Sequence, residues 1–465
     1  MPNAIRMFTL AALAIVAAQP SFAQEGLLEI YQRALQNDPQ IRRDEALYLA
    51  TLELRAMARS AVFPNLRLGA STSASFSENP FGATTGAGQV FGIGSEFESD
   101  ANSWNLNLSQ TLFDWSQIKT LRQVDKQITR AEAAFEAARQ NLLIRTAETY
   151  FSVLAAEETL ASEIVSREAI ARQLEQAQRR FEVGLIAITE VEQAQANYDL
   201  AVANTIQAER VLSITQEALR ELIGEYITNL AGPTEELPLV RPDPASADDW
   251  VSLALRQNLT LISSRLDADI AEDTIAIQRG ARYPTLSLSA GYSDSSTDST
   301  VTLFFEDAIT GDRFSRPNAN PSARSGYNWS LNFSVPIFSG GINSARIQQA
   351  VYQRRAALEI VELAARQTER QTRDAYLGVI SEISRVQALR QAVGSSQTAL
   401  RATEAGFEVG TQTTVDVLVQ QEVLRRAQTN YALSRYDYLM NGLRLKEAAG
   451  SLAVQDIEQI DAWFE

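Results

Sequence analysis

The chain has 465 residues with a formal net charge of −16 at pH 7, and it contains no cysteine and no histidine. Without these two residue types, a disulfide framework, a lipid anchor on an N-terminal cysteine, the common zinc sites and most nucleophile–base pairs are excluded. The acidic charge argues against nucleic acid as a partner. We therefore expect no catalytic, cofactor-binding or metal site, and a protein that is not an enzyme.

Residues 1–23 are typical of a secretory signal peptide. Arg6 supplies a positive first region, an apolar run follows, and residues 21–23 (SFA) form a small-x-small cleavage site. A transmembrane helix is the alternative, but the apolar run is shorter than the roughly 18 to 20 residues that a span needs. The mature chain is predicted to begin at Gln24 and to be exported.

The mature chain opens with a helical segment from about Leu27 to Val62. Asp38-Pro39 marks a turn or local break early in it. The helix is predicted to end at Phe63-Pro64, because the residue before a proline is disfavoured in the α region.

The next segments alternate apolar and polar residues with the period of a strand. The alternation covers residues 65–76, recurs near Trp104, and appears twice more in the second half, at residues 286–293 and 329–335. Four strands of about ten residues with one apolar face fit either a half-buried sheet of a soluble protein or the wall of a transmembrane barrel.

Two features favour the barrel and contact with outer-membrane lipid. The connecting segments, about 77–101 and 294–327, are long and rich in Gly, Ser and acidic residues, which is typical of extracellular loops. Aromatic residues also flank the apolar band on both sides, as in the girdles of membrane barrels. These residues are Phe63, Phe76, Trp104, Phe113, Trp115, Tyr283, Tyr292, Trp329 and Phe338.

Four strands cannot close a barrel by themselves, since the smallest single-chain barrels have about eight. The open edges must pair with other subunits. The sequence therefore predicts an oligomer whose barrel has a multiple of four strands.

Two helices are predicted to be far longer than a globular core allows. They run from about Ser116 to Val183 and from about Asn343 to Val409, each on the order of 100 Å at about 1.5 Å per residue. After each of them the chain is predicted to return in a shorter helix, from about Thr189 to Ile223 and from about Asp416 to Ala449.

The turns between these helices carry matching sequences, FEVGLIAITEV at Phe181–Val191 and FEVGTQTTVDV at Phe407–Val417. Gly184 and Gly410 occupy the position of a C-terminal cap glycine. Capping boxes are predicted at the start of the returning helices. They pair Thr189 with Glu192 and Thr413 with Asp416.

The match extends beyond these tips. Ala34 and Ala254 are 220 positions apart (254 − 34), and so are Pro64 and Pro284 (284 − 64). The chain is therefore interpreted as two structural repeats, residues 24–241 and 242–465, each with a helix, two barrel strands and a long helical hairpin. The second repeat ends in a short segment near mid-height of the helices.

Four stretches carry a family resemblance: VGLIAITEVEQAQ, VGTQTTVDVLVQQ, PIFSGG and RYDYLMNGLRLKEAAGSL. On them, the chain resembles the TolC family of outer-membrane efflux proteins over essentially its whole mature length. The resemblance implies a homotrimer that forms a 12-stranded transmembrane β-barrel, continuous with a periplasmic α-helical barrel. It further implies a passive exit duct for drug efflux or type I protein secretion, opened when a periplasmic adaptor and an inner-membrane RND or ABC transporter dock at the tips.

The resemblance also assigns roles to residues of the tips. The periplasmic gate would include Glu190, Asp416, Gln412, Phe407 and Thr189, and the adaptor-docking turns would include Gly184, Leu185, Gly410 and Thr411. The two glycines serve equally well as plain helix caps.

Asp416 has two compatible interpretations. Three copies around an axis would form a negative ring that favours cations, and an acid in the first helical turn would also cap the helix. Gln412 and Phe407 stand where well-known members have an arginine and a tyrosine, and Val419 replaces a second acid. We therefore predict a looser or differently held gate, which a conductance comparison of Gln412→Arg with the parent would test by a reduced leak.

Two other classes remain open at this point. A periplasmic coiled-coil adaptor or scaffold without a pore would share the helical hairpins but would lack the strand pairs flanked by aromatic residues. A barrel adhesin or lipase would need a closed single-chain barrel or a nucleophile with its base, and neither is visible in the sequence.

Overall fold

The computed structural model describes residues 24–86, 89–227, 229–234, 237–306 and 311–464. Within these ranges the chain forms ten helices and five strands, which confirms the expectation of a mainly helical protein with β-structure. The predicted signal segment lies outside the described residues. The helices are α1 (Leu27–Asn37), α2 (Pro39–Leu52), α3 (Leu54–Ser60), α4 (Trp115–Glu182), α5 (Ile188–Ile223), α6 (Ala247–Gln257), α7 (Leu259–Gly280), α8 (Ile342–Glu408), α9 (Thr414–Ala449) and α10 (Val454–Asp461). The strands are β1 (Asn65–Gly86), β2 (Gln89–Phe113), β3 (Thr285–Glu306), β4 (Arg313–Ala319) and β5 (Ser322–Ser334).

The two long helices and their returning partners agree with the prediction to within about two residues. The helix α4 has 68 residues and α8 has 67, and each is followed by a returning helix of 36 residues. No helix among the described residues has a stretch apolar and long enough to cross a membrane.

The first helical segment is broken twice. The predicted break occurs at Asp38, whose backbone is extended (φ −63°, ψ 119°). A second break, at Glu53, was not predicted; its backbone stays helical (φ −66°, ψ −18°), so the irregularity lies in the hydrogen bonding and not in the path of the chain.

The strands differ most from the prediction, because the expected long loops continue as paired β-structure. The β1–β2 ladder runs from Asn65↔Ser109 to Gly86↔Gln89, and β3 extends to Glu306. An antiparallel ladder is held by backbone hydrogen bonds, so it continues where the apolar alternation has stopped. The fourth predicted strand, residues 329–335, lies within β5 except for its last residue, and β4 falls in the segment predicted as a loop. The two strands are separated near Pro321, which has no N–H to donate to a ladder.

The described residues form two compact units, and each combines segments from both halves of the chain. Among the described residues, the first unit contains residues 24–46, Ala133–Ile262 and residues 363–464. The second contains Leu47–Glu132 and Ser263–Glu362, and so holds the whole sheet. The duplication at 24–241 and 242–465 stays a prediction about the sequence repeats, since the packing units do not follow it.

The main apolar core belongs to the first unit. Its buried side chains come from the terminal helices and from the long and returning helices, and include Leu27, Ile30, Leu142, Tyr150, Leu219, Ile223, Leu445 and Ile457. The Tyr150 hydroxyl donates hydrogen bonds to the carbonyl oxygens of Ala231 and of Glu25, the latter at 3.1 Å. Burial raises the pKa of Tyr150 far above its usual value.

The C-terminal helix completes the start of the fold. The carboxylate of Asp461 accepts hydrogen bonds from the backbone N–H groups of Leu27 (2.7 Å) and Leu28 (3.1 Å), which are unpaired donors at the start of α1. A Cβ at Gly26 would lie 2.6 Å from the same carboxylate, so glycine leaves room for this distant cap.

The returning helices end in the same way in both halves. The side-chain amide of Asn37 donates to the carbonyl oxygen of Ile223 at 2.9 Å, and the side-chain amide of Asn258 donates to the carbonyl oxygen of Ala448 at 3.0 Å. Both contacts satisfy a carbonyl in the last turn of a helix. They place the end of each returning helix beside a break in the first helices of its own half.

Candidate functional site at the hairpin tips and the sheet

The two hairpin turns have the same backbone hydrogen bonds. In the first turn, the N–H of Gly184 donates to Phe181 O (2.8 Å) and that of Leu185 donates to Arg180 O (2.9 Å). In the second, Gly410 N–H donates to Phe407 O (3.1 Å) and Thr411 N–H donates to Gly406 O (2.8 Å). This is the Schellman pattern, which needs a left-handed residue after the helix. The predicted cap glycines supply it, with φ of 76° and 77°.

The prediction that Thr189 caps the first returning helix is wrong. The helix α5 begins at Ile188, its N-cap is Ala187, and no side chain caps it. The aligned residue in the second tip is Thr413, 226 positions later (413 − 187), as Gly410 is from Gly184. Ala187 has no side-chain oxygen, so the first tip lacks the side-chain cap. Glu190 occupies the third helical position, and its N–H donates to the backbone oxygen of Ala187 at 3.1 Å.

The predicted capping box of the second tip is confirmed. The Thr413 hydroxyl accepts from Asp416 N–H at 3.3 Å, while Asp416 Oδ2 accepts from Thr413 N–H at 2.8 Å and from the hydroxyl at 2.7 Å. The hydrogen bond from the Thr413 backbone N–H, followed by that from its hydroxyl, lowers the pKa of the partly exposed Asp416 carboxyl. The residue therefore keeps its charge at neutral pH while it caps the helix.

An arginine that the sequence did not single out connects the two tips. The guanidinium carbon of Arg180, in the last turn of α4, lies 4.5 Å from the ring centroid of Phe407, in the last turn of α8. Basic residues are common at helix C-termini, so the sequence carried no sign that this one pairs with a ring. The Gln412 side chain lies against Gly406, where a Cβ would approach its Cγ to 2.7 Å.

In the second unit, the strand register places the apolar side chains of the four predicted strands on one face of the sheet. One row across the strands consists of Leu66, Leu108, Ala290 and Trp329, and the next consists of Leu68, Leu106, Tyr292 and Tyr327. Much of this face is exposed, since Leu68 and Trp329 are each 72% accessible and Tyr327 is 83% accessible.

The predicted aromatic residues lie in or beside this sheet. The rings of Trp104 and Tyr292 are 5.1 Å apart, and those of Trp115 and Tyr283 are 5.5 Å apart. Ala70 pairs with Trp104, and Phe76 is six residues beyond Ala70 on β1 (76 − 70). Phe76 is therefore about 20 Å farther along the strand than Trp104.

The sequence analysis did not include Tyr327 among the aromatic residues of the band. The remaining members, Phe63, Phe113, Trp329 and Phe338, are all exposed.

The outer edges of the sheet have no partner among the described residues. The strand β1 pairs only with β2, while β4 and β5 pair only with β3. Within the same residues there is no group of three or more side chains suited to hold a metal ion.

A sheet with one exposed apolar face and long helical hairpins with matching tips are the features of an outer-membrane channel. The chain belongs to the outer membrane efflux protein family, whose model matches residues 30–225 and 250–451. It is 32% identical to the outer membrane protein TolC of Vibrio cholerae, over 99% of this chain and 98% of that protein. It is 29% identical to the alkaline protease secretion protein AprF of Pseudomonas aeruginosa, over 94% and 87% of the two chains.

The fold is also similar to the crystal structure of the Campylobacter jejuni CmeC outer membrane channel. The TM-score is 0.71 at 16% identity, and the match covers 100% of this chain and 98% of that one. The resemblance found in the sequence is thus confirmed. The protein is an outer-membrane exit duct that extends into the periplasm, and it is not an enzyme.

Proposed function

We propose that three copies of this chain pair the edges of their sheets to close a 12-stranded barrel in the outer membrane. The observation that carries the proposal is the sheet itself, whose edges are unpaired and whose apolar face is exposed in the single chain. In water, exposed edges and an apolar face of this size are an aggregation hazard. Edge pairing between copies satisfies the backbone, and lipid covers the apolar face.

The helical hairpins of the three copies then form the periplasmic α-barrel, and six tips converge on its end. Asp416 is partly exposed, and its carboxylate accepts hydrogen bonds from the backbone N–H and the hydroxyl of Thr413. Three such carboxylates near one axis form a negative ring that favours cations, and Glu190 adds an acid from each first tip.

The same tips are the docking surface for a periplasmic adaptor. Val183, Leu185 and Val409 lie at the turns and are 69%, 73% and 75% accessible. Apolar side chains exposed at the end of a hairpin are suited to contact another protein. Docking by the adaptor and an inner-membrane RND or ABC transporter opens the duct. The family is described as outer membrane efflux proteins, and one relative is named for protease secretion, so drugs and secreted proteins are the two candidate cargoes.

We do not favour a coiled-coil adaptor without a pore, because such a protein would not need a sheet with an exposed apolar face.

Cysteine cross-linking tests the trimer. Because the chain has no cysteine, a disulfide in a double-cysteine variant can form only between introduced residues and therefore reports one contact. Ser71→Cys or Ser73→Cys on β1 combined with Asn328→Cys or Ser330→Cys on β5 should give a ladder that stops at three chains. Cysteines on the inner strand β2 serve as the control. A protein that stays monomeric in detergent, or a ladder that stops at two, would contradict the proposal.

Planar-bilayer recordings test the gate. Asp416→Asn removes the charge and keeps a side-chain oxygen as the cap acceptor, whereas Thr413→Ala removes the capping hydroxyl and keeps the charge. Cation-selective openings should lose selectivity in Asp416→Asn and keep it in Thr413→Ala. Equal cation selectivity in the parent and in Asp416→Asn would contradict the proposal that the Asp416 carboxylates line the constriction.

A further inference from the structure

The charged residues of β1, β2, β3 and β5 are segregated by sign between the two faces of the sheet. Side chains alternate between faces along a strand and align across the ladder, so the register assigns each residue to the apolar face or to the opposite, polar face. On the apolar face, beyond the apolar band, these strands carry only acidic charged residues, and β4 adds one basic residue, Arg313. The acidic residues are Glu78, Glu96, Glu98, Asp100, Asp294 and Asp298.

The polar face carries charge of the opposite sign. In residues 65–79, 95–111, 285–305, 313–319 and 322–334 its charged side chains are Arg67, Arg316 and Arg324, and none is acidic. All three arginines are exposed, and the structure gives none of them an ion-pair partner among the described residues. A chain with 57 acidic and 41 basic residues thus presents a purely cationic face here.

The three arginines lie at separate levels along the strands. Arg67 pairs with Asn107 on β2, which pairs with Gly291 on β3, so Arg67 is level with Gly291. Farther along β3, Ser295 is opposite Arg324 and Leu303 is opposite Arg316. The steps along β3 are four and eight residues (295 − 291 and 303 − 295), or about 13 Å and 27 Å at about 3.4 Å per residue. Both steps exceed the Debye length of about 8 to 10 Å at physiological salt, so an ion meets each level in turn.

The outermost level also has apolar neighbours. Leu303 lies across the ladder from Arg316, and Phe314, which is 62% accessible, is two residues away on the same face. This combination of a guanidinium with an aromatic and an aliphatic side chain is suited to an anion with an apolar body.

We infer that the barrel section of the duct binds anions at three rings of arginine, formed by Arg67, Arg324 and Arg316 of each copy, and that organic anions bind at the Arg316 ring. The inference rests on the proposed trimeric barrel, in which the apolar face contacts lipid and the polar face lines the lumen. Rings of arginine select anions in pores. The duct then has a cation-favouring constriction at the tips and an anion-binding exit.

Reversal potentials in a KCl gradient test this inference on the intact, detergent-extracted oligomer. The comparison is between the parent, the triple variant Arg67→Gln/Arg316→Gln/Arg324→Gln, and the charge-keeping triple variant with lysine at the same positions. The chloride-to-potassium permeability ratio should fall about two- to fivefold at 0.1 M salt in the glutamine variant, and the difference should shrink at 1 M, where the Debye length is about 3 Å. The lysine variant should match the parent.

Block by inorganic triphosphate, added on the side of the β-barrel, locates the effect. Block should be weakened by Arg316→Gln and unchanged by Arg313→Gln, which removes the same charge from the same strand on the opposite face. Asp416→Asn, at the other end of the duct, should also leave it unchanged. Octyl sulfate below its micelle concentration should block more strongly than sulfate in the parent, and the two should block equally in Arg316→Gln.

The outcomes separate this inference from the proposed function. Openings with the same permeability ratio in the parent and in the glutamine variant would overturn the inference and leave the duct in place. Openings absent from a folded, extracted oligomer would overturn both.

Discussion

Asp38 is a buried carboxylate of the first unit with two structural roles. It is 4% exposed, and its carboxylate accepts a hydrogen bond from Arg145 Nη2 at 2.6 Å. The same carboxylate accepts from the backbone N–H groups of Gln40 (3.2 Å) and Ile41 (3.3 Å), so it also caps α2.

The two roles can be separated by substitution. Asp38→Asn keeps a cap acceptor and loses the charged hydrogen bond, which is worth about 1.5–3 kcal/mol. Asp38→Ala also loses the cap, for about 1 kcal/mol more. The Arg145 side chain is 30% exposed and also donates to Asn141 at 3.2 Å, so we expect the lower end: about 1.5 kcal/mol for asparagine and about 2.5 for alanine.

Guanidinium unfolding in detergent, followed by tryptophan fluorescence, measures these losses, and Arg145→Met completes a double-mutant cycle. The coupling energy between Asp38 and Arg145 should be about 1–2 kcal/mol. The second half supplies the control, because Asn258 caps α7 through Leu261 N–H (3.0 Å) without an ion pair. Asn258→Ala removes this cap and also the hydrogen bond to Ala448 O, and should cost about 2 kcal/mol with no coupling to an arginine. A coupling energy of zero between Asp38 and Arg145 would refute the reasoning.

Three further predictions concern the same unit. Gly410→Ala should destabilise by about 1–2 kcal/mol because φ is 77°, whereas Gly394→Ala, inside α8 with open space at its Cβ, should stabilise by about 0.5–1 kcal/mol; thermal unfolding of the pair should shift in opposite directions. Burial raises the pKa of Tyr150 above its unfolded value of 10.0, so its stabilisation is present below pH 10 and is lost as the pH rises further; Tyr150→Phe should cost about 1–3 kcal/mol at pH 7 and should flatten the alkaline limb of a stability–pH curve. The pKa of Asp416 is lowered from 3.8, so the cation selectivity assigned to its charge should be the same at pH 4.5 and pH 7, and a loss of selectivity at pH 4.5 would contradict it.

Much of the architecture was predictable because it depends on local signals. The ends of α4 and α8 follow from Gly184 and Gly410, since a left-handed C-terminal cap is a property of one residue and its neighbours. The capping box at Thr413 and Asp416 is equally local. The error at Thr189 has the same origin: a threonine two residues past the true N-cap was available, and the sequence does not show that Ala187 already occupies the cap.

The continued strands were missed for a different reason. The side-chain alternation reports which face is buried, and beyond residue 76 the β1 ladder is held by backbone groups that every residue carries except proline. The alternation of apolar and polar residues therefore predicted where the apolar band lies but not where the strands end.

The chain by itself determined the hairpins with their glycine turns, the apolar strands and the family, because all of these depend on residue type and spacing. The tertiary structure decided which distant groups meet: Asp461 on the start of α1, Arg180 on Phe407, and the arginines of β1, β4 and β5 on one face of the sheet. Those contacts depend on strand register and on the packing of helices far apart in the sequence. Neither is encoded by any local pattern, since a shift of one residue in register would have moved each arginine to the other face.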